Sequence, residues 1–402
     1  MPFRLNKTHL IITLEILLCG FLIISIFKDR SPDSASTANI ADEILETTVA
    51  GRNADDYSNN DIDNQAAPDH TSDYIKWVDF NVTYEAMQKA FRYDVDTCQE
   101  PIHLSWIDLL AYLGAKYGGD FTHYKESDMD TAAGRLLEGT SIEELTEGMT
   151  YFAYYREAYD AVLGGMVGLY DIQIPASDAP ASAASGDSAD EAQPVWVTKY
   201  GLKAFLPVAK NFPYQHYDDF GASRSYGYRR VHLGHDMMGQ VGTPVIAVES
   251  GIVEAIGWNQ YGGWRLGIRS FDGKRYYYYA HLRKNYPYHK SLEAGSVIQA
   301  GDVIGYLGRT GYSATENTNN IDEPHLHFGI QLIFDESQKE GTNEIWINCY
   351  EIIKFLAVNR SETLKNLETK EYFRLYQMKD PAIPGEVRFQ LDTSEPEDAT
   401  DS

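Results

Sequence analysis

From Pro324 to Phe334 the chain alternates without a break: Leu326, Phe328, Ile330, Leu332 and Phe334 take one parity, and His325 and His327 take the other. A period of two belongs to a β-strand, whose successive side chains point to opposite faces. The apolar parity must therefore lie on a core, and both imidazoles share the opposite face about 6.5–7 Å apart at the backbone. One of the two can then hold a metal while its neighbour serves a bound water or substrate. By itself, His-x-His fits a pair of exposed strand histidines equally well.

The surrounding sequence agrees with a β domain. Pro244 to Val248 precedes Ser250-Gly251, Arg265 to Arg269 precedes Asp272-Gly273, and Val303 to Leu307 follows Gly301-Asp302. Short β-prone runs punctuated by Gly predict a compact, mainly antiparallel domain over 195–360, closed by a helix near Ile352 to Ala357. Upstream, over 74–171, the period changes. Trp106, Leu109, Leu110, Leu113 and Tyr117, then Phe152, Tyr155, Ala158, Tyr159 and Leu163, recur at helical spacing. Gly118-Gly119 supplies a stop, and Ser141 with Glu144 a capping box. This small α-helical domain reads as a self-packed spacer, or as a module that docks a protein partner or positions substrate. An Ala/Ser/Asp/Pro linker at 172–194 separates it from the β domain, and 361–384 is a C-terminal extension.

Charge excludes one class of function. With 34 Lys and Arg against 59 Asp and Glu, the net charge of −25 rules against a sequence-independent grip on nucleic-acid phosphates. Most of that charge sits in 31–74, 176–194 and the tail 385–402, segments too polar to build a core. After a short N-terminal tail, 1–9, the run 10–27 (Leu10 to Phe27) is apolar apart from Glu15 and flanked by Arg4, Lys7, Lys28 and Arg30. It reads as one transmembrane helix or signal anchor, with a cleaved signal peptide as the alternative. The acidic linker 28–73 then tethers the rest. Cys19, Cys98 and Cys349 are too few for a disulfide framework.

Six of the eleven histidines fall between 232 and 327. In His232-Leu233-Gly234-His235-Asp236, residues four apart on a flat strand would sit about 13 Å from each other, too far for one zinc ion. A bend is required, and Gly234 offers it. His235 alternates off that face and reads as structural support. His281 ends the Tyr276-Tyr277-Tyr278-Tyr279-Ala280 run. A nitrogen, an oxygen and a nitrogen, with two spare imidazoles, suffice for a catalytic zinc site that keeps its fourth position for water.

Taken together, His232-x-Gly234-x-Asp236, Tyr279-Ala280-His281-Leu282 and Pro324-His325-Leu326-His327-Phe328 resemble, in order and spacing, the lysostaphin-like and LytM-like zinc endopeptidases of the β-lytic type. Pro244 to Val253 and Gln299 to Ser313 look like that family's Gly-rich β repeats. The resemblance implies that His232, Asp236 and His327 bind one Zn²⁺, that His325 is the general base and His281 stabilises the oxyanion (two roles that can be exchanged), and that the substrate is a peptidoglycan stem or cross-bridge peptide. It also implies an extracytoplasmic domain on a single-pass bacterial membrane protein, cutting close to the membrane because a 44-residue tether spans only about 35–40 Å. A zinc-binding scaffold without hydrolytic activity is the competing expectation. A biotinyl-carrier reading lacks its Met-Lys-Met hairpin. The insert between Gly311 and Pro324 reads either as a groove wall or as a plain solvated connection.

Overall fold

The computed structural model describes residues 74–178, 194–225, 229–339 and 343–384. Leu10 to Phe27 lies outside them, and no helix among the described residues is long and apolar enough to cross a membrane.

Helices come first along the chain: α1 (Tyr84–Thr97), α2 (Trp106–Tyr117), α3 (Glu126–Leu137), the single turn α4 (Ile142–Leu145) and α5 (Phe152–Leu163). Thr83 and Ser105 cap α1 and α2 by accepting from Ala86 N and Asp108 N. The Ser141–Glu144 capping box opens α4. Gly118 ends α2 at φ +64°, a left-handed conformation that a side chain would strain.

Helical structure stops at Leu163, short of the Asp171 boundary expected from sequence. Val167–Ile174 is a strand, β1, paired antiparallel along its whole length with β2 (Val195–Leu202). The expected linker 172–194 therefore begins too early, because its first residues belong to β1, and 179–193 lie outside the described residues. The sequence Val-Gly-Leu-Tyr-Asp-Ile-Gln-Ile has strand propensity, and β2 supplies the ladder that propensity alone cannot. The 361–384 extension also joins the fold. It forms the hairpin β15 (Thr363–Lys365) and β16 (Tyr372–Arg374), and β17 (Met378–Lys379), which takes the other edge of β1.

The main sheet is antiparallel, in the order β11 (Val297–Ile298), β8 (Gly251–Asn259), β9 (Gly263–Ser270), β10 (Arg275–Ala280), β13 (His325–Leu332), β6 (His235–Met238), β3 (Gln215–His216), with β14 (Ile345–Trp346) on β13. The short hairpin β4 (Ser223–Ser225) and β5 (Arg229–Val231) leads into β6, and β7 (Pro244–Ile246) pairs with β12 (Val303–Tyr306). The apolar parity of β13 behaves as its period requires. Leu326, Phe328, Ile330 and Leu332 are fully buried beside Leu266, Ile268, Tyr277 and Tyr279 of the neighbouring strands.

The helices do not pack on themselves alone. Their buried residues, from Val78 to Met166, belong to the same hydrophobic core as the sheet. Phe355 on α6 (Tyr350–Leu356) lies 5.6 Å from the rings of both Phe91 and Trp106. Arg275 on β10, wholly buried, forks onto Glu249 at 2.7 and 3.1 Å and reaches Asp272 at 2.6 Å. It also donates to the carbonyl of Ala161 at 2.7 Å, one of the acceptors that the end of α5 leaves without an intrahelical partner.

Candidate metal centre

Strands β6 and β13 pair so that Asp236 faces His327, which puts a carboxylate and an imidazole side by side on the face opposite the core. His232 precedes β6 in the bend after β5. Its Nε2 lies 3.3 Å from Asp236 Oδ1 and 3.2 Å from His327 Nδ1, and those last two are 3.0 Å apart. A tetrahedral ion with bonds near 2.0–2.1 Å needs ligand atoms about 3.3 Å from each other, so one ion fits on these three atoms. All three residues are buried. The bend at Gly234 is real, but Gly234 is needed for space: a Cβ there would fall 2.5 Å from His327 Nε2 and 3.0 Å from the Phe328 carbonyl.

The two remaining histidines stand against this triangle. His281 follows β10 at φ +59° and its Nδ1 faces the Thr310 carbonyl at 2.9 Å, while His325 Nδ1 faces the Glu323 carbonyl at 2.8 Å. A nitrogen facing a carbonyl carries the proton, which leaves each Nε2 with its lone pair. The two rings are 4.8 Å apart between centroids, and His325 Nε2 is 3.8 Å from Asp236 Oδ1. Tyr312, from the 311–324 insert, sets its ring 5.8 Å from His281. The insert is tied down by Asn317, which accepts from Trp264 Nε1 and from Asn285 N, and so behaves as a wall of this site.

Electrostatics suit cation binding. Burial opposes the Asp236 charge, but the positive charge that His232 and His325 carry when protonated, and hydrogen bonds from His232 and His327, outweigh it, holding this carboxyl well below the usual range. Burial pushes His327 down to about 4, and takes His281 well below its ordinary value, helped by His325 and His327. Neutral imidazoles beside an ionised carboxylate are the form in which these groups bind metal.

Asp219 is the residue that sequence reading missed. Its carboxylate is 3.0 Å from His232 Nδ1 and its carbonyl 3.1 Å, which fixes the ring so that Nε2 faces inward. No spacing announces it, since it reaches the site through Gly221 N→His232 O and His232 N→Ala222 O bonds in an irregular loop. His235 sits off the metal face as expected, buried, with its Nε2 2.9 Å from His216 Nδ1.

Residues 230–340 match the sequence model of Peptidase family M23. The chain is 37% identical over 131 residues to an L-Ala--D-Glu endopeptidase of Bacillus subtilis, covering 32% of this chain and 38% of that protein. It is 37% identical over 99 residues to lysostaphin of Staphylococcus staphylolyticus, covering 24% of this chain and 18% of that one. The chain thus spans less than two fifths of the length of either relative. A solved structure from Ruminococcus gnavus, described as a candidate glycyl-glycine endopeptidase lytM, aligns over 71% of this chain and 91% of its own at 21% identity and a TM-score of 0.44.

Proposed function

We propose, from the premise that residues 230–340 form a Peptidase family M23 domain, that the chain is a zinc metalloendopeptidase hydrolysing peptide bonds of bacterial peptidoglycan. The observation that carries this reading is the convergence of His232, Asp236 and His327 on one point with His281 and His325 alongside. A zinc ion held by those three side chains would acidify a bound water and polarise the scissile carbonyl. The chain's own groups would do the rest. His325 Nε2, with its Nδ1 proton committed to the Glu323 carbonyl, is placed to accept the water's proton. His281, fixed by Thr310, flanks the same point and would steady the developing oxyanion. Asp219 keeps His232 in the tautomer that presents Nε2.

The name of the Bacillus relative supports a stem-peptide bond and that of a glycyl-glycine endopeptidase of Staphylococcus capitis, 38% identical over 98 residues, a glycine bridge, so both belong to the reading. The apolar run Leu10 to Phe27 supports a membrane anchor, and the outer face follows from where peptidoglycan lies, since the charges flanking the run hardly differ. The full chain, loaded with zinc and incubated with purified peptidoglycan, should release new amino groups, and a chelator should abolish the release. One bound zinc with no release from several wall types would favour the scaffold reading instead.

A further inference from the structure

Arg265 lies on the metal-bearing face of the sheet, and its guanidinium makes no ion pair or hydrogen bond among the described residues. Leu266 pairs with Tyr279 on the core side, so Arg265 and Ala280 take the opposite side, where Ala280 pairs with His327 and His327 with Asp236. Two strand spacings put its Cα about 10 Å from that of His327. Its neighbours on that face are small: Gly257 across the ladder, and Gly263 and Gly267 along its own strand.

The Nε and Nη1 groups of Arg265 are shielded from solvent and donate to nothing among the described residues. Arg269, on the same face of the same strand, instead engages Glu336 at 2.5 Å and the Gly273 carbonyl at 2.7 Å. Tyr276 lies close enough to feel the charge of Arg265 and, after it, those of Glu254 and Glu344, with its hydroxyl over Gly267. Burial raises this phenol to about 12, so it remains a hydrogen donor at neutral pH. A half-buried guanidinium with two N–H groups out of solvent and no acceptor is unfavourable, and a carboxylate is the anion whose two oxygens match its fork.

We propose that Arg265, with the Tyr276 hydroxyl beside it, binds a carboxylate of the substrate peptide, so that the site takes acidic stem peptides in preference to neutral glycine bridges. This deepens the endopeptidase reading and rests on it. Apart from the metal triangle, it assigns the neighbouring stretch of the sheet face to recognition.

The test uses the full zinc-loaded chain and three synthetic peptides: one with D-glutamate beside the bond to be cut, its D-glutamine counterpart, and pentaglycine. The acid should be preferred over the amide about 10- to 100-fold in kcat/KM, the worth of one charged hydrogen-bonded pair. Arg265→Gln should bring that ratio close to one, Arg265→Lys should restore part of it, and Tyr276→Phe should lower it. Thermal unfolding of the ligand-free protein separates recognition from a structural role. Removing a half-buried charge that has no ion-pair partner should leave the Tm of Arg265→Gln equal to or above that of the parent, whereas a structural arginine would lower it. A parent acid-to-amide ratio near one, a ratio that survives Arg265→Gln, or a fall in Tm would overturn the proposal. Should the parent cleave none of the peptides, the endopeptidase reading fails, and calorimetry of acid and amide binding to the same proteins decides the carboxylate site alone. A preference lost in Arg265→Gln supports it, and no preference overturns it.

Discussion

His325 and His327 are two residues apart on one face, yet their ring nitrogens are used in opposite senses. His327 turns Nδ1 inward to Asp236, while His325 ties Nδ1 to a carbonyl and keeps Nε2 for the reacting side. His327→Ala should therefore lose zinc, whereas His325→Ala should keep one zinc per chain and lose turnover by about 10²–10⁴-fold, the range for a general base. Equal zinc loss in both would contradict the division of roles. Asp219→Ala acts one step further out: freeing the His232 ring should weaken zinc binding by about 10- to 100-fold in a competition titration, with the fold intact. Gly234→Ala belongs to the same scale. Its new methyl would press on His327 Nε2, so the expected result is a chain that folds but binds zinc poorly.

Among the elements, the join between β10 and α5 holds charge away from water. Arg275 satisfies Glu249, Asp272 and the α5 carbonyls from a wholly buried position, and Glu249 also accepts from the Tyr277 hydroxyl at 2.6 Å. Breaking a buried pair leaves an uncompensated charge, so Glu249→Ala should cost about 3–5 kcal/mol in denaturant unfolding. A loss under 1 kcal/mol would mean that water enters the join. Most of this latch was not legible in the sequence: Asp272 is three residues away, but Glu249 and the Ala161 carbonyl lie 26 and 114 residues from Arg275 and share no period with it. What was legible was local. The parity of β13, the α6 helix near Ile352, the capping box at Ser141 and the three histidine clusters all follow from spacings within a few residues. The strand Val167–Ile174 was split between the end of the helical region, up to Asp171, and the start of a linker, because its ladder partner begins more than twenty residues later. The triangle of His232, Asp236 and His327 was reached through resemblance, since flat-strand geometry alone separates the first two.

On the scale of the whole molecule, the helical region and the β domain stand or fall together. A chain beginning at 195 would lack β1, leaving β2 without its eight-residue ladder and β17 without its edge. It would expose Phe355 where Phe91 and Trp106 had covered it, and strip Arg275 of the Ala161 carbonyl. Each loss is of the order of 1–3 kcal/mol, and a domain is stable by only about 5–15 kcal/mol. The shortened chain should therefore unfold at least 10 °C below one spanning 74–384, or fail to fold, taking roughly 2–4 °C per kcal/mol for domains of 150–250 residues. Zinc should narrow the gap without closing it, because ligand at 100 times its Kd adds only about 2.7 kcal/mol. Melting both chains with zinc and with chelator checks the argument. If the short chain melted within 2 °C of the long one under both conditions, the helices would be a detachable spacer after all, and the shared core would carry no mutual support.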